Sequence, residues 1–134
     1  MSQHITIRYT LVVVISLTPY SYATANNNKI YFSGGDLSST VTCLDCSGTV
    51  YWKLEDNYSL IYAHGITVDW NSNIFVAGCE SDRVILISPD GKHSRVILSK
   101  INSPYAPTLV SCDRTSKGLL VLYSDRALLF DIVI

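Results

Sequence analysis

Three histidines, four cysteines and a pair of recurring aspartates are the residues of this chain that could do chemistry, so their spacing is tested first. Cys43 and Cys46 stand in "CLDC", while Cys79 and Cys112 stand alone. A zinc ribbon needs a second close cysteine pair, and none is present. A thioredoxin-like site needs its CxxC at a helix start near a βαβ pattern, which is also missing. On a strand, positions i and i+3 point to opposite faces, so the two thiols of CLDC are poorly placed to share a ligand. The cysteines therefore read as buried or half-buried structural residues, and the spacing demands no disulfide. His4, His64 and His93 match no metal or triad spacing. There is no Gly-rich phosphate loop, GxSxG elbow or HExxH motif. No catalytic residue, metal or cofactor is expected.

The elements that would position any site are strands. The chain has 134 residues, 48% of them hydrophobic, enough for one domain with a real core. Nine tyrosines and abundant Val, Ile and Leu favour β-structure, and no long window places apolar residues at helical spacing. Lys and Arg total 10 against 11 Asp and Glu, a balance that argues against a general polyanion binder.

The strands repeat. "SYATANNNKIYFSG" (21–34) lies over "GITVDWNSNIFVAG" (65–78), and "APTLVSCDRTSKGLLVLYS" (106–124) carries the pattern a third time. The period is about 44 residues, within the range of propeller blades. Each unit reads as four short strands, which in the central copy cover 65–69, 73–78, 83–88 and 94–98. The second and third strands carry apolar residues on both faces ("VILI", "LLVL"), as expected of a small sheet sandwiched between neighbours. "SG" and "DG" mark hairpins joining strands three and four. Asp69 and Asp113 are expected to bond their own turn backbones.

By the same alignment "SLTPYS" matches "INSPYA", so the apolar run at 9–17 reads as the outer strand of a preceding blade. It is too short to span a bilayer. The competing reading is a signal peptide over residues 1–25, ending at "ATA". The expected architecture across 1–134 is thus all-β, a partial propeller of about three four-stranded blades in an incomplete ring. Blades are expected at 20–55, 65–98 and 105–132, the last incomplete. A closed propeller has about 4–8 blades, so further blades from a longer chain or another copy are expected.

The central motif makes a resemblance specific. Gly65-Ile66-x-Val68-Asp69, then Asn73-Ile74-x-Val76-Ala77, Arg83-Val84 and Pro89-Asp90-Gly91 resemble an NHL repeat. That β-propeller blade occurs at the C-terminus of many tripartite-motif ubiquitin ligases. The likeness covers most of 28–132 and is strongest in the middle. Gly78 and Ala25 depart from the family's usual Asp. The resemblance implies a recognition module for protein partners, in some members for RNA, in a cytoplasmic setting. Ligase activity would need a RING domain, and no RING cysteine and histidine spacing is present. An extracellular receptor propeller of the YWTD type is the alternative, with Phe75-Val76-Ala77-Gly78 at the diagnostic tetrapeptide; a secreted location would accompany it.

Candidate contacts follow from this frame. His64, Trp70 and Tyr105 lie near expected inner-strand ends, where aromatics and an imidazole could meet a protein partner. Residues 83–117 hold six basic and two acidic side chains, and Lys92, Arg95 and Lys100 are the candidates for RNA phosphates. The simpler reading makes these cations ordinary solvated turn and edge residues. Asp69 and Asp113 resemble candidates for the channel metal of lactonase-type propellers, but their shared repeat position favours turn capping.

Overall fold

The computed structural model describes residues 4–7, 22–33, 39–56, 59, 63–78, 82–99, 106–113 and 117–133. Among the described residues there are eleven strands and no helix. The first sheet holds β1 (Tyr22–Asn26), β2 (Lys29–Ser33), β3 (Thr40–Asp45) and β4 (Val50–Glu55). The second holds β5 (Ala63–Val68), β6 (Ile74–Gly78), β7 (Arg83–Ile87) and β8 (Ser94–Leu98). The third holds β9 (Pro107–Asp113), β10 (Gly118–Tyr123) and β11 (Ala127–Asp131). Each sheet is an antiparallel meander in chain order, and the edge strands β1, β5 and β9 lie against one another. This is the expected all-β architecture: two four-stranded blades and a three-stranded one in an open, incomplete propeller ring. The strand expected at 9–17 lies outside the described residues.

Local backbone chemistry sets each hairpin. Asn27 and Asn28 join β1 to β2 with both φ angles positive, at 51° and 61°. That is the backbone of a two-residue primed turn, whose twist matches the strands it joins. The "SG" and "DG" hairpins differ from the two-residue form expected for such dipeptides. Asp45 N–H donates to Thr49 O and Gly48 N–H donates to Asp45 O, which leaves a three-residue loop with Gly48 left-handed at φ 91°. Ser88 N–H donates to His93 O, so the β7–β8 loop has four residues, with Gly91 at φ 72°. Glycine still carries the left-handed position, but longer loops let it open a bulge.

Packing between sheets uses the period-2 alternation of the strands. Along β6, Ile74 and Val76 join Tyr31, Val41 and Cys43 of the first sheet in one core cluster. Phe75 and Ala77, the residues between, join Val110, Leu119 and Val121 of the third sheet in another. β7 divides the same way, with Ile85 and Ile87 on one side and Val84 on the other. Every residue of β6 is buried. Burying each large apolar side chain contributes about 1.5–3 kcal/mol. The middle sheet is therefore held from both sides.

Two details show how close the blades come. A Cβ built on Gly65 would stand 2.8 Å from Leu109 Cα and 2.9 Å from Val110 N, so its missing side chain lets β5 approach the backbone of β9. Nearby, Cys112 N–H donates to Thr67 Oγ1 at 3.1 Å, tying the same two strands. In the other interface the Tyr31 ring is fully buried, with Cys43 and Ser72 as its polar neighbours. Among the described residues its hydroxyl is a buried polar group without a hydrogen-bond partner, and burial pushes its pKa up. Two substitutions should then have opposite effects in urea unfolding. Gly65→Ala, forced against backbone, should destabilise the protein by about 1–3 kcal/mol. Tyr31→Phe, which removes an unsatisfied buried hydroxyl, should stabilise it by about 1 kcal/mol. A neutral Gly65→Ala or a strongly destabilising Tyr31→Phe would contradict this packing.

Candidate functional site

The turns β1–β2, β3–β4, β5–β6 and β7–β8 all lie at one end of the blades, because the sheets are meanders running side by side. Three of the four are braced by an aspartate. Asp69 Oδ1 accepts the backbone N–H groups of Asn71 and Asn73, both at 2.9 Å, and Oδ2 accepts Asn73 Nδ2 at 3.0 Å. This is the turn-capping role expected of Asp69. For Asp113 the following residues, 114–116, lie outside the described residues. Asp45 and Asp90 do the same work in the β3–β4 and β7–β8 loops, a capping role the sequence had suggested only for Asp69 and Asp113. Asp45 Oδ1 accepts Ser47 N, Thr49 N and Ser47 Oγ. Asp90 Oδ1 accepts Lys92 N and Ser88 Oγ. The signal was present as an aspartate two residues from a serine and within three of the turn glycine.

The β5–β6 turn holds out an indole. Trp70 follows the capping Asp69 and is 73% exposed, while Ser72 behind it takes a left-handed φ of 63°. Ser72 Oγ accepts Asn26 Nδ2 at 3.0 Å and Asn27 Nδ2 at 3.4 Å, so the turn is also tied to the neighbouring blade. A large aromatic is thus presented to solvent on a loop whose backbone is fixed by side-chain bonds.

The other expected contacts are distributed differently. His64 lies within β5 rather than before it, half-buried, with its carbonyl accepting Ser33 Oγ at 3.2 Å. It stands at the start of β5 and Trp70 just beyond its end, so the strand separates them. Lys92 is exposed in the β7–β8 loop at the Trp70 end, and Arg95 is exposed on β8. Tyr105 and Lys100 lie outside the described residues. Among the described residues no three His, Cys, Asp or Glu side chains gather as a metal site would require.

A groove of about 170 Å³ separates the second and third sheets, lined by Leu86, Arg95, Ile97, Phe130 and Ile132 among others. A neighbouring hollow of about 150 Å³, lined by Asn73, His93, Ser94 and Arg95, lies on the second sheet. The equivalent position in the first interface is filled. There Trp52 donates its indole N–H to Pro89 O at 3.0 Å, and its ring lies where a Cβ on Gly91 would stand 2.2 Å away. Forty-three positions on, the repeat carries Arg95 instead of tryptophan. An arginine keeps its head in water and leaves the space open.

No family model matches the sequence, and no curated protein matches it. The fold, by contrast, is similar to several solved β-propellers. Virginiamycin B lyase from Staphylococcus aureus, in a catalytically inactive form with quinupristin, superposes with a TM-score of 0.58 at 16% identity, over 82% of this chain and 40% of that one. A propeller in a nidogen/laminin complex gives 0.61 at 17% identity, over 81% and 41%. AztD of Citrobacter koseri gives 0.58 at 15%, over 91% and 34%. The chain spans about two fifths or less of the length of these proteins. The class defined by fold and comparison together is a β-propeller, and at these identities the likeness is one of fold alone.

The braced loops have a pH dependence. The Ser47 hydroxyl, with the Thr49 amide, holds Asp45 below the usual aspartate range, and the Ser88 hydroxyl, with the Lys92 amide, does the same for Asp90. A carboxylate with a lowered folded pKa adds stability above its unfolded value near 3.9, and that stability is lost as pH falls through the folded pKa. Melting temperature should therefore drop on acidification below about pH 4. The double variant Asp45→Ala, Asp90→Ala should melt lower at pH 7 and show a smaller acid-dependent drop, followed by circular dichroism. An unchanged acid profile would contradict the bracing role.

Proposed function

We propose that this chain is a non-catalytic recognition module that binds a protein partner through the turn end of its blades, with Trp70 as the anchor. The observation that carries the reading is the indole itself: strongly exposed, large, and held on a loop fixed by Asp69 and Ser72. Exposed tryptophans on rigid backbones are favoured interface anchors, because they bury much area at little entropic cost. Lys92 lies at the same end and supplies charge to the rim, as the polar surround of an aromatic anchor does. His64, at the other end of β5, is a secondary candidate for a contact, and Tyr105 is another on the sequence alone.

The finer assignment is an NHL-type blade array of a tripartite-motif-like protein working in the cytoplasm. It is supported by the Gly65–Asp69, Asn73–Ala77 and Pro89–Gly91 motifs. The YWTD-type receptor propeller is the second reading, and the fold similarity to the nidogen/laminin propeller favours it. RNA is the other class of ligand considered, because Arg95 borders the groove between the second and third sheets and Lys92 is exposed in the β7–β8 loop, with Lys100 nearby in sequence.

One experiment separates these ligands. The tagged chain, its Trp70→Ala variant and a control Lys53→Ala variant are used for affinity capture, each with and without ribonuclease, followed by mass spectrometry. The reading expects a protein set retained by the control, reduced about tenfold or more by Trp70→Ala, and indifferent to ribonuclease. Capture that depends on RNA and falls with Arg95→Ala would favour the nucleic-acid surface. Capture equal for all three chains would sink the Trp70 anchor.

A further inference from the structure

Equivalent rows of side chains cross the first two sheets. In the first sheet Tyr31 pairs with Cys43, and Cys43 with Trp52. In the second, Phe75 pairs with Leu86, and Leu86 with Arg95, at the same repeat positions. Each row faces the next sheet. The inner members agree, since Tyr31 and Phe75 are both buried. The outer members do not. Trp52 stands with its ring 6.2 Å from that of Tyr31, between centroids, and Cys43 is wholly covered. Leu86 is only half-buried and Arg95 is exposed, and the groove of about 170 Å³ opens beside them.

The groove therefore lies at the repeat equivalent of the space that the Trp52 indole fills. Its walls carry Phe75, Leu86, Ile97 and Phe130. An apolar cavity of about 150 Å³ holds a benzene ring, whereas pockets for drug-sized ligands begin at about 300 Å³. The size suits one aromatic side chain. Charge then selects its surroundings. Arg95 also borders the neighbouring hollow, whose other polar residues are Asn73, Ser88, His93 and Ser94, with no carboxylate among them. Asp131 stands on the third-sheet wall of the groove. A carboxylate is favoured on the hollow side and repelled on the Asp131 side.

We propose that this groove takes one aromatic side chain of a partner protein, on an exposed peptide segment that carries an acidic residue beside the ring. The ring occupies the place of the indole in the first interface. Arg95 stacks on it and bonds the neighbouring carboxylate. The proposal deepens the reading of this chain as a protein-recognition module and rests on it, but it does not rest on Trp70, which projects from a different turn.

The test follows the backbone amides of the 134-residue chain by NMR during titration with blocked pentapeptides. GEWKG places an acid on one side of the ring and a base on the other; GEAKG lacks the ring and GQWKG lacks the acid. GEWKG should shift the amides of Leu86, Ile97 and Phe130 with a dissociation constant of about 1 mM. GEAKG should bind about tenfold or more weakly, for want of a buried ring, and GQWKG about threefold, for want of a half-exposed ion pair. Two substitutions at the exposed Arg95 complete the test, each checked for an unchanged circular dichroism spectrum. Arg95→Trp returns an indole to the row, fills the groove from within and should weaken GEWKG about tenfold or more. Arg95→Gln leaves the groove open and should erase the preference for GEWKG over GQWKG. No groove shifts at about 5 mM peptide would overturn the proposal, since weaker binding is not recognition. Binding indifferent to Arg95→Trp, or a preference that survives Arg95→Gln, would overturn it too. A uridine oligonucleotide that shifts the same amides more strongly than GEWKG would assign the groove to nucleic acid instead. Shifts that vanish in Trp70→Ala would place the peptide on the turn and overturn the groove, whereas failure of the Trp70 anchor in affinity capture would leave the groove result standing.

Discussion

A sheet of four strands, each only five or six residues long, cannot bury enough apolar surface on one side to stay folded, so each blade must be covered on both faces. This constraint governs the rest of the structure. It explains why β6 has no solvent-facing position and why its odd and even residues feed two different core clusters. It also explains why apolar residues at equivalent repeat positions are buried in the second sheet and wet in the third. Stability in such an array is a sum of neighbour contacts, and the sheet with two neighbours is the best supported.

Close approach is the second consequence. Inner strands that do not share a backbone ladder still have to pack, and at Gly65 they do so backbone against backbone. Where room remains, side chains bridge it: Trp52 crosses from the first sheet onto the Gly91 loop, and Arg83 reaches Ser59 at 3.5 Å. Where Arg95 stands at the equivalent position, it borders an open groove between the second and third sheets. The capped turns then work as rigid display points, because their backbone bonds are satisfied locally and need no help from the core.

Much of this was legible beforehand. The period near 44 residues placed the strands of the central blade within one or two residues of β5–β8, because alternation and turn residues are local properties. Asp69 was recognisable as a turn cap for the same reason. His64 was less legible: it was expected ahead of the strand and lies in it, where a register shift between Ala63 and Ile66 adds residues to the inner edge. The hairpins of Gly48 and Gly91 were recognised by their glycines, but loop length depends on which backbone groups pair across the strands, and a dipeptide does not specify that.

The sequence by itself determined the class of architecture, since β alternation, apolar strands and a recurring turn grammar leave little choice but stacked antiparallel sheets. It also determined that Asp69 caps the turn after the first strand of the second sheet. Only the tertiary structure decided which chemistry-bearing side chains meet. His64 and Trp70 are six residues apart in the chain and at opposite ends of one strand. Asn26 and Ser72 are distant in the chain and hydrogen-bonded. Trp52 and Arg95 hold equivalent repeat positions, yet one fills an interface and the other borders an open groove. The physical reason is that strand formation is encoded over a few residues. Contacts between sheets depend on twist, register and the volume of partners some forty residues away.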